Sequence, residues 1–334
     1  MADLDCRNPG HRTVRRRTLA ALAVSALASP AIVSRAQARD GGPAIQLAIG
    51  RFARLPGASC LVVADQKDPW QAGHEPAARR FVGSALKTFI LARYLRDVEE
   101  GRLKEDQPMA VDDRLRTLNS PVFLNLSGTT LAVSVLEAMI THSDNTATDI
   151  AMAAVGAERV RALIAEAGLR QTQIADSMRK MFCYLAGMEA GQDAGWPAVQ
   201  ALVDHPRNPR PALNDRMTMA STAEDMVSWY RRALRPDYFK KPATFLEFKR
   251  IQAMASALSQ VVPADTVAYG KGGSIDWGNF HCYCLPGAMI VGKTQVTFCF
   301  TINWTGPDDG VATLFKQYVS AVANVLEESA RAVG

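Results

Sequence analysis

No uninterrupted apolar stretch of this 334-residue chain is long enough to span a membrane. The best candidate, Leu19–Ala28, is about half of the ~20 residues a spanning helix needs. Aromatic residues are few, at 7%, yet a 48% apolar content over this length still supplies a sizeable core and excludes a disordered chain. Glycine (23) and proline (17) are too scarce for a collagen-like or low-complexity protein. Cysteine is scarce as well: Cys6 lies in the leader, and the remaining Cys60, Cys183, Cys282, Cys284 and Cys299 are an odd number that closes no disulfide framework. Cys282 and Cys284 share one face of an apparent strand, as small core residues or as half of a cross-strand disulfide to Cys299. His142, His205 and His281 have no Glu or His at metal-ligand spacing, so no metal site is expected. No internal repeat is present.

The net charge of +5 is concentrated at one end. Six Arg and two Asp in residues 1–38 account for all of it but +1, so the chain from residue 39 is nearly neutral and carries no nucleic-acid footprint. Residues 1–38 read as an export signal. Arg15, Arg16 and Arg17 precede the apolar run, and Ala36-Gln37-Ala38 gives a small-x-small cleavage pattern. Arg16-Arg17-Thr18-Leu19 resembles a twin-arginine signal without its final lysine; a basic amphipathic tail or a membrane anchor is the plainer alternative. A periplasmic or secreted protein with no membrane span in the mature chain is expected.

From residue 39 the periodicity falls into three blocks. A helix over Ala44–Arg54 is followed by a strand at Ser59–Ala64 and a second strand around 71–80. The block from Ser84 to about Leu234 is mostly helical, with Leu86–Leu95, Leu131–Ile140 and Ile150–Leu169 as helices and Gly187–Asn214 as an irregular excursion. Strands return at Thr266–Gly270, Asn279–Leu285 and Gln295–Trp304, with Pro286-Gly287 as a turn, and an amphipathic helix closes the chain over Val311–Ala330. The expected fold is α+β in two lobes. An antiparallel sheet with flanking terminal helices is built from 39–83 and about 235–334, an all-helical lobe from about 84–234, and a cleft lies between them.

Three short motifs carry chemistry. Ser84-Ala85-Leu86-Lys87 opens a helix after Phe81-Val82-Gly83, so the two functional side chains lie on one face at i and i+3. A serine hydroxyl needs a base within reach, and a lysine can serve if burial and nearby cations keep it neutral. The plain alternative is an N-cap serine followed by a solvated lysine. Ser143-Asp144-Asn145 follows the apolar Leu136–Ile140 abruptly, as a site-lining loop or a helix N-cap cluster does. Ser143 could pass a proton between Lys87 and a leaving group, and Asn145 could donate its amide to a substrate carbonyl. Lys271-Gly272-Gly273-Ser274 ends the strand from Thr266, where glycines such as Gly273 admit close approach and strand N–H groups can face an oxyanion; the alternative is a hairpin tip. A phosphate loop does not fit, because Asp265 replaces its first glycine and Gly272 its Ser or Thr.

In this order and spacing, with Ser-Asp-Asn about 60 residues after Ser-x-x-Lys and a Lys-x-Gly on a late strand, the motifs resemble those of class A β-lactamases and penicillin-binding proteins, and the resemblance runs roughly from Ala44 to Ala330. It implies a β-lactamase/transpeptidase-like fold, Ser84 as nucleophile, Lys87 as its base and Ser143 as proton shuttle. Asn145 and Lys271 become substrate ligands, the latter drawing a substrate carboxylate, and the N–H groups of Ser84 and Ser274 become the oxyanion hole. No cofactor is implied. A monomer acting on a small molecule, either a β-lactam or a cell-wall-like peptide or ester, is the expectation. An esterase or D,D-peptidase, or a binding protein without turnover, stand as alternatives.

Three departures qualify the resemblance. Gly272 replaces the usual Thr or Ser of Lys-Thr/Ser-Gly, and no Lys or Arg lies between Gly272 and Gly292 to help hold a carboxylate. The Glu-x-x-Leu-Asn loop of hydrolytic members is absent: Glu189 is the one glutamate between Leu169 and Asn214. Asp149 stands where the family usually has an asparagine that pins this loop. Glu189 and Asp149 are therefore the candidate deacylation bases, with slow deacylation expected. His142 borders the site and could tune it.

Overall fold

The computed structural model describes residues 39–334, so the expected export signal lies outside the described residues. Helix α1 (Pro43–Phe52) begins with proline in its first turn and buries Ile45, Ala48, Ile49 and Phe52, one stripe of the helix. Strands β1 (Ser59–Asp65), β2 (Trp70–His74) and β3 (Arg80–Phe81) follow, and then a 3₁₀ turn, Gly83–Leu86, runs directly into α2 (Lys87–Glu99). The middle of the chain holds β4 (Pro108–Val111), β5 (Gly128–Leu131), α3 (Ala132–Thr141), α4 (Asn145–Val155), α5 (Ala157–Glu166), α6 (Met178–Leu185), α7 (Ala198–Asp204) and β6 (Ala220–Ser221). The chain closes with α8 (Ala223–Ala233), α9 (Pro242–Ala253), β7 (Val267–Gly270), β8 (Gly273–Trp277), β9 (Phe280–Val291), β10 (Thr294–Thr305) and α10 (Val311–Val333). Among the described residues no helix is long and apolar enough to cross a membrane.

The main sheet is antiparallel, in the order β2–β1–β10–β9–β7, with β8 also paired to β9. The two ends of the chain meet on it: α1 packs on α10, and Phe52 sets its ring edge-on to Phe300 of β10 at 5.2 Å and to Tyr318 of α10 at 6.2 Å. The mixed architecture of antiparallel sheet and helices is the one expected from the periodicity, but five details differ. Pro286-Gly287 is no turn. It lies inside β9, opposite Cys299 and Phe298, and the turns fall at Gly278-Asn279 and Gly292-Lys293. Ile150–Leu169 is two helices, because Gly156 adopts φ 82° between α4 and α5. The strand expected around 71–80 ends at His74, and Arg80–Phe81 pairs instead with Ala220–Ser221. The excursion 187–214 contains α7. Helix α8, expected within the helical lobe, packs against β1, β9 and β10 of the sheet, and residues 38–334 form one compact unit.

The cysteine alternatives are also resolved. Cys60, Cys183, Cys282, Cys284 and Cys299 are all free and buried. The reason is register: Cys284 faces Thr301 across the ladder and Cys299 faces Pro286, so no two thiols are direct cross-strand partners there.

Helix α2 is buried on every side, with Phe89, Ile90, Leu91, Tyr94 and Leu95 in the core, so it is a central rather than a surface helix. Its second residue ties it to two neighbours. Thr88 Oγ1 accepts the Trp229 indole N–H from α8 at 3.0 Å and the Gln252 amide from α9 at 2.9 Å. At its other end the fully buried Asp97 takes Arg93 at 2.6 Å, together with Arg102 and Arg159.

Candidate active site

Ser84 lies in the 3₁₀ turn that feeds α2, pressed against strand β8. A Cβ built on Gly273 would fall 2.0 Å from the Val82 carbonyl oxygen and 2.7 Å from the Ala85 nitrogen, and one built on Gly83 would fall 2.9 Å from the Ser274 carbonyl oxygen. Only two facing glycines allow strand and turn to come this close. The strand also has a fixed phase. Positions 267–270 and 273–277 keep one register against β9, so β7 and β8 are a single edge strand interrupted at Lys271-Gly272. The interruption has a simple cause: Lys271 N–H donates to the Pro286 carbonyl at 3.2 Å, but proline has no N–H to return. Since alternate residues of such a ladder bond inward, Ser274 turns its N–H out of the sheet, toward Gly83. The Lys-Gly-Gly segment is thus mid-strand, not a hairpin tip.

The Ser143-Asp144-Asn145 loop is built around one carboxylate. Asp144 caps α4 by accepting the Ala147 N–H at 2.7 Å, while its other oxygen accepts the N–H groups of Val122 and Phe123, each at 2.9 Å. Ser143 beside it adopts φ 58°, a strained conformation that turns its carbonyl inward. Lys87, fully buried, donates to that carbonyl at 2.5 Å and to Asn145 Oδ1 at 2.8 Å, with Ser143 Oγ at 3.4 Å. Asn145 gives one amide N–H to the Leu118 carbonyl at 3.0 Å, which leaves its second N–H for another acceptor. Among the described residues no hydrogen bond joins Lys87 directly to Ser84. Burial, and then the nearby Lys271 ammonium, hold the Lys87 pKa well below that of an ordinary lysine, against the pull of Asp144 and Asp149. Disfavouring the ammonium form in this way makes the amine a better proton acceptor than an ordinary lysine.

Lys271, at the strand interruption, is buried and donates to the adjacent Gly272 carbonyl at 2.7 Å. Burial pulls its pKa down to about 7. Two cavities meet at the pair Ser143 and Ser274, which line both. One, of about 640 Å³, holds Ser84, Asn145, His142 and Asp276. The other, of about 200 Å³, holds Lys271, Gly272 and Gly273. Six of the expected residues, Ser84, Ser143, Asn145, Lys271, Gly273 and Ser274, therefore line one connected cleft, and Lys87 is buried beneath it.

The two candidate bases are placed elsewhere. Glu189 is an exposed turn residue whose carboxylate lies 3.7 Å from Arg210, and it lines neither cavity. Asp149 is buried behind the site, with Oδ1 on the Met178 N–H at 2.6 Å and Oδ2 on the Arg179 N–H at 3.0 Å. Burial raises its pKa to about 7 against those two bonds and the charges of Arg179 and Lys87. Its carboxylate pins the start of α6. The helix so pinned turns Met178, Met181 and Phe182 into the Ser84 cavity. These three were missed in the sequence, although their i, i+3, i+4 spacing marks a single helix face. His281 is not at the nucleophile: its ring is held between Asp276 Oδ1 at 2.8 Å and the Gly306 carbonyl at 2.9 Å, stacked on Trp304.

Known structures share this fold. PBP-A in its L158E mutant form, an acyl-enzyme complex with penicillin G, superposes with TM-score 0.63 at 16% identity, over 85% of this chain and 96% of that one. A β-lactamase from Xanthomonas campestris pv. campestris gives 0.65 at 16% identity, over 87% and 99%. A class A β-lactamase representing the last common ancestor of Gram-negative bacteria gives 0.64 at 17%, over 88% and 100%. Among curated proteins none matches. A model of the beta-lactamase enzyme family matches residues 45–297, most of the described chain, and with the Ser84–Lys87–Ser143 cleft in that span the chain belongs to the beta-lactamase enzyme family.

Proposed function

We propose that the protein is an exported serine hydrolase that forms an acyl-enzyme on Ser84, that β-lactams are its substrate class, and that release of the acyl group limits its turnover. The observation that carries this reading is the state of Lys87: a lysine buried one helical turn from a serine, held by the Ser143 carbonyl and Asn145 Oδ1 and kept low in pKa by burial and Lys271. A merely structural lysine in a core would be paired with a carboxylate.

The chemistry follows from the neighbours. Ser84 Oγ attacks the carbonyl carbon and its proton passes to the Lys87 amine. The oxyanion forms between the Ser84 and Ser274 N–H groups. As the bond to the leaving atom breaks, the proton on Lys87 passes through Ser143 Oγ to that atom. Hydrolysis of the resulting ester needs a base to activate water, and the α6 face of the cavity presents Met178, Met181 and Phe182. Asp149 is occupied by two backbone N–H groups behind that face, and Glu189 is at the surface, so neither serves as the base.

Incubation with a fluorescent penicillin followed by intact-mass measurement tests the reading. A persistent adduct on Ser84, absent from Ser84→Ala, is expected. Rapid loss of the adduct would remove the slow-release part, and labelling that survives Ser84→Ala would remove the whole assignment.

A further inference from the structure

His281 is buried, and both of its ring nitrogens face acceptors. Nδ1 lies 2.8 Å from Asp276 Oδ1 of β8, and Nε2 lies 2.9 Å from the Gly306 carbonyl oxygen. A carboxylate and a carbonyl donate nothing, so the ring makes both bonds only when both nitrogens carry protons. A neutral imidazole has one N–H and must give up one of the two. The other neighbours favour the charged ring. Asp308, in the 3₁₀ turn before α10, stands 3.8 Å from Nε2, and the Trp304 indole of β10 stacks on the ring at 4.9 Å. Cys282 and Tyr283, next along β9, are neutral groups whose pKa values burial raises. Burial opposes a charge on His281. The bonds to Asp276 and Gly306 and the charges of Asp276 and Asp308 outweigh it, so its pKa lies above that of an ordinary histidine.

The carboxylate that His281 holds belongs to the cleft. Asp276 lines the Ser84 cavity, two residues beyond Ser274, and it is the one carboxylate among that cavity's lining residues. Its side chain is 62% exposed, within reach of a ligand. The carbonyl carbon of a substrate bonds to Ser84 Oγ, and Ser84 lines this cavity and not the one beside Lys271. The group carried on that carbon therefore starts out in the cavity that holds Asp276. From this geometry we infer that His281 is a positioning residue for Asp276, and that its proton sets which acyl groups the Ser84 cavity prefers. With the imidazolium in place, the charge of Asp276 is offset and the cavity makes no demand for a cation. With the proton gone, Asp276 stands beside a neutral ring, and an acyl group ending in a cation is favoured over its neutral counterpart. The preference for a cation thus grows as pH rises through the pKa of His281. The inference rests on Ser84 being the nucleophile.

The test uses two penicillins that differ only at the end of the acyl side chain, one closing in a trimethylammonium group and the other in a tert-butyl group of the same shape. Neither end titrates. Acylation rate constants of Ser84 are read by intact mass across the neutral and mildly alkaline range, as the ratio of cationic to neutral substrate. In the parent this ratio should rise about fivefold as His281 loses its proton, the size of a partly exposed charge interaction. The rise should be missing from Asp276→Asn, where the ratio is low, and from His281→Asn, where it is high. Any charge change at His142 or Lys271 acts in all three proteins alike. A parent ratio that does not change with pH, or a rise that persists in His281→Asn, overturns the inference, while adducts on Ser84 leave the proposed function standing. No adduct on Ser84 from either penicillin overturns both. Long-range proton–nitrogen NMR of the parent needs no variant: His281 should show two protonated ring nitrogens at neutral pH, and a ring with one overturns the inference.

Discussion

Asp149 Oδ1 accepts the backbone N–H of Met178 at 2.6 Å, and this bond fixes an apolar helix face against the nucleophile. The start of a helix carries free N–H groups that a carboxylate satisfies well. The pinned helix then presents Met178, Met181 and Phe182 to the Ser84 cavity, and on the proposed function that face would decide the fate of an acyl group there.

A carboxylate on that face should supply the missing base. Met178→Glu is expected to raise the deacylation rate about 10²-fold while leaving acylation nearly unchanged. Single-turnover kinetics with a chromogenic cephalosporin resolves the two steps. An acyl-enzyme that persists in Met178→Glu as long as in the parent would show that a base is not what the face lacks.

The nucleophile and its amine should behave as a unit. Ser84→Ala and Lys87→Ala are each expected to abolish acylation, and the double variant should lose little beyond either one. Additive losses, measured as acylation rate constants, would separate Lys87 from the chemistry.

Gly273 is a packing requirement where β8 meets the Ser84 turn, the oxyanion site of the proposed function. In Gly273→Ala the new methyl meets the Val82 carbonyl and the Ala85 nitrogen, so β8 must move off the Ser84 turn. Acylation should fall about 10²–10³-fold, the usual effect of losing one oxyanion donor. Circular dichroism checks that the fold persists, and acylation at the parent rate in a folded variant would contradict the close approach.

Asp149 should leave a signature in stability against pH. Its folded pKa of about 7 lies above the ~3.9 of an exposed aspartate, so between these values the folded protein holds a proton that the unfolded chain has released. The stability this contributes is fully present below about 4 and is lost as pH rises through about 7. Urea midpoints for the parent and Asp149→Asn, taken across that window, should show the parent losing ground to the variant as pH rises. A constant gap between them would mean that Asp149 does not titrate there.

Much of the cleft is legible in the sequence because its chemistry demands particular side chains at particular spacings. Ser84 and Lys87 must share a helix face, and Ser143 and Asn145 must flank a capping aspartate. The α6 face was not legible, because its message lies in apolar residues, and Met178-x-x-Met181-Phe182 reads like any core stripe. Pro286-Gly287 misled for a related reason. A proline inside a paired strand is tolerated where its missing N–H faces a break in the neighbouring ladder, and the break at Lys271-Gly272 is visible only once β7 and β8 are aligned on β9. Helix α8 carries an amphipathic pattern that fits either lobe, and the choice was made by its packing on β1, β9 and β10.

Thr88 sits one residue beyond Lys87 and accepts from both Trp229 and Gln252, so the first turn of the nucleophile helix is anchored at once to α8 and to α9. Such an anchor leaves little room for local opening. Backbone amides within α2 beyond its first turn are therefore expected to exchange with solvent deuterium only when α8 and α9 are released as well, which would make this helix one of the slow-exchanging parts of the described residues.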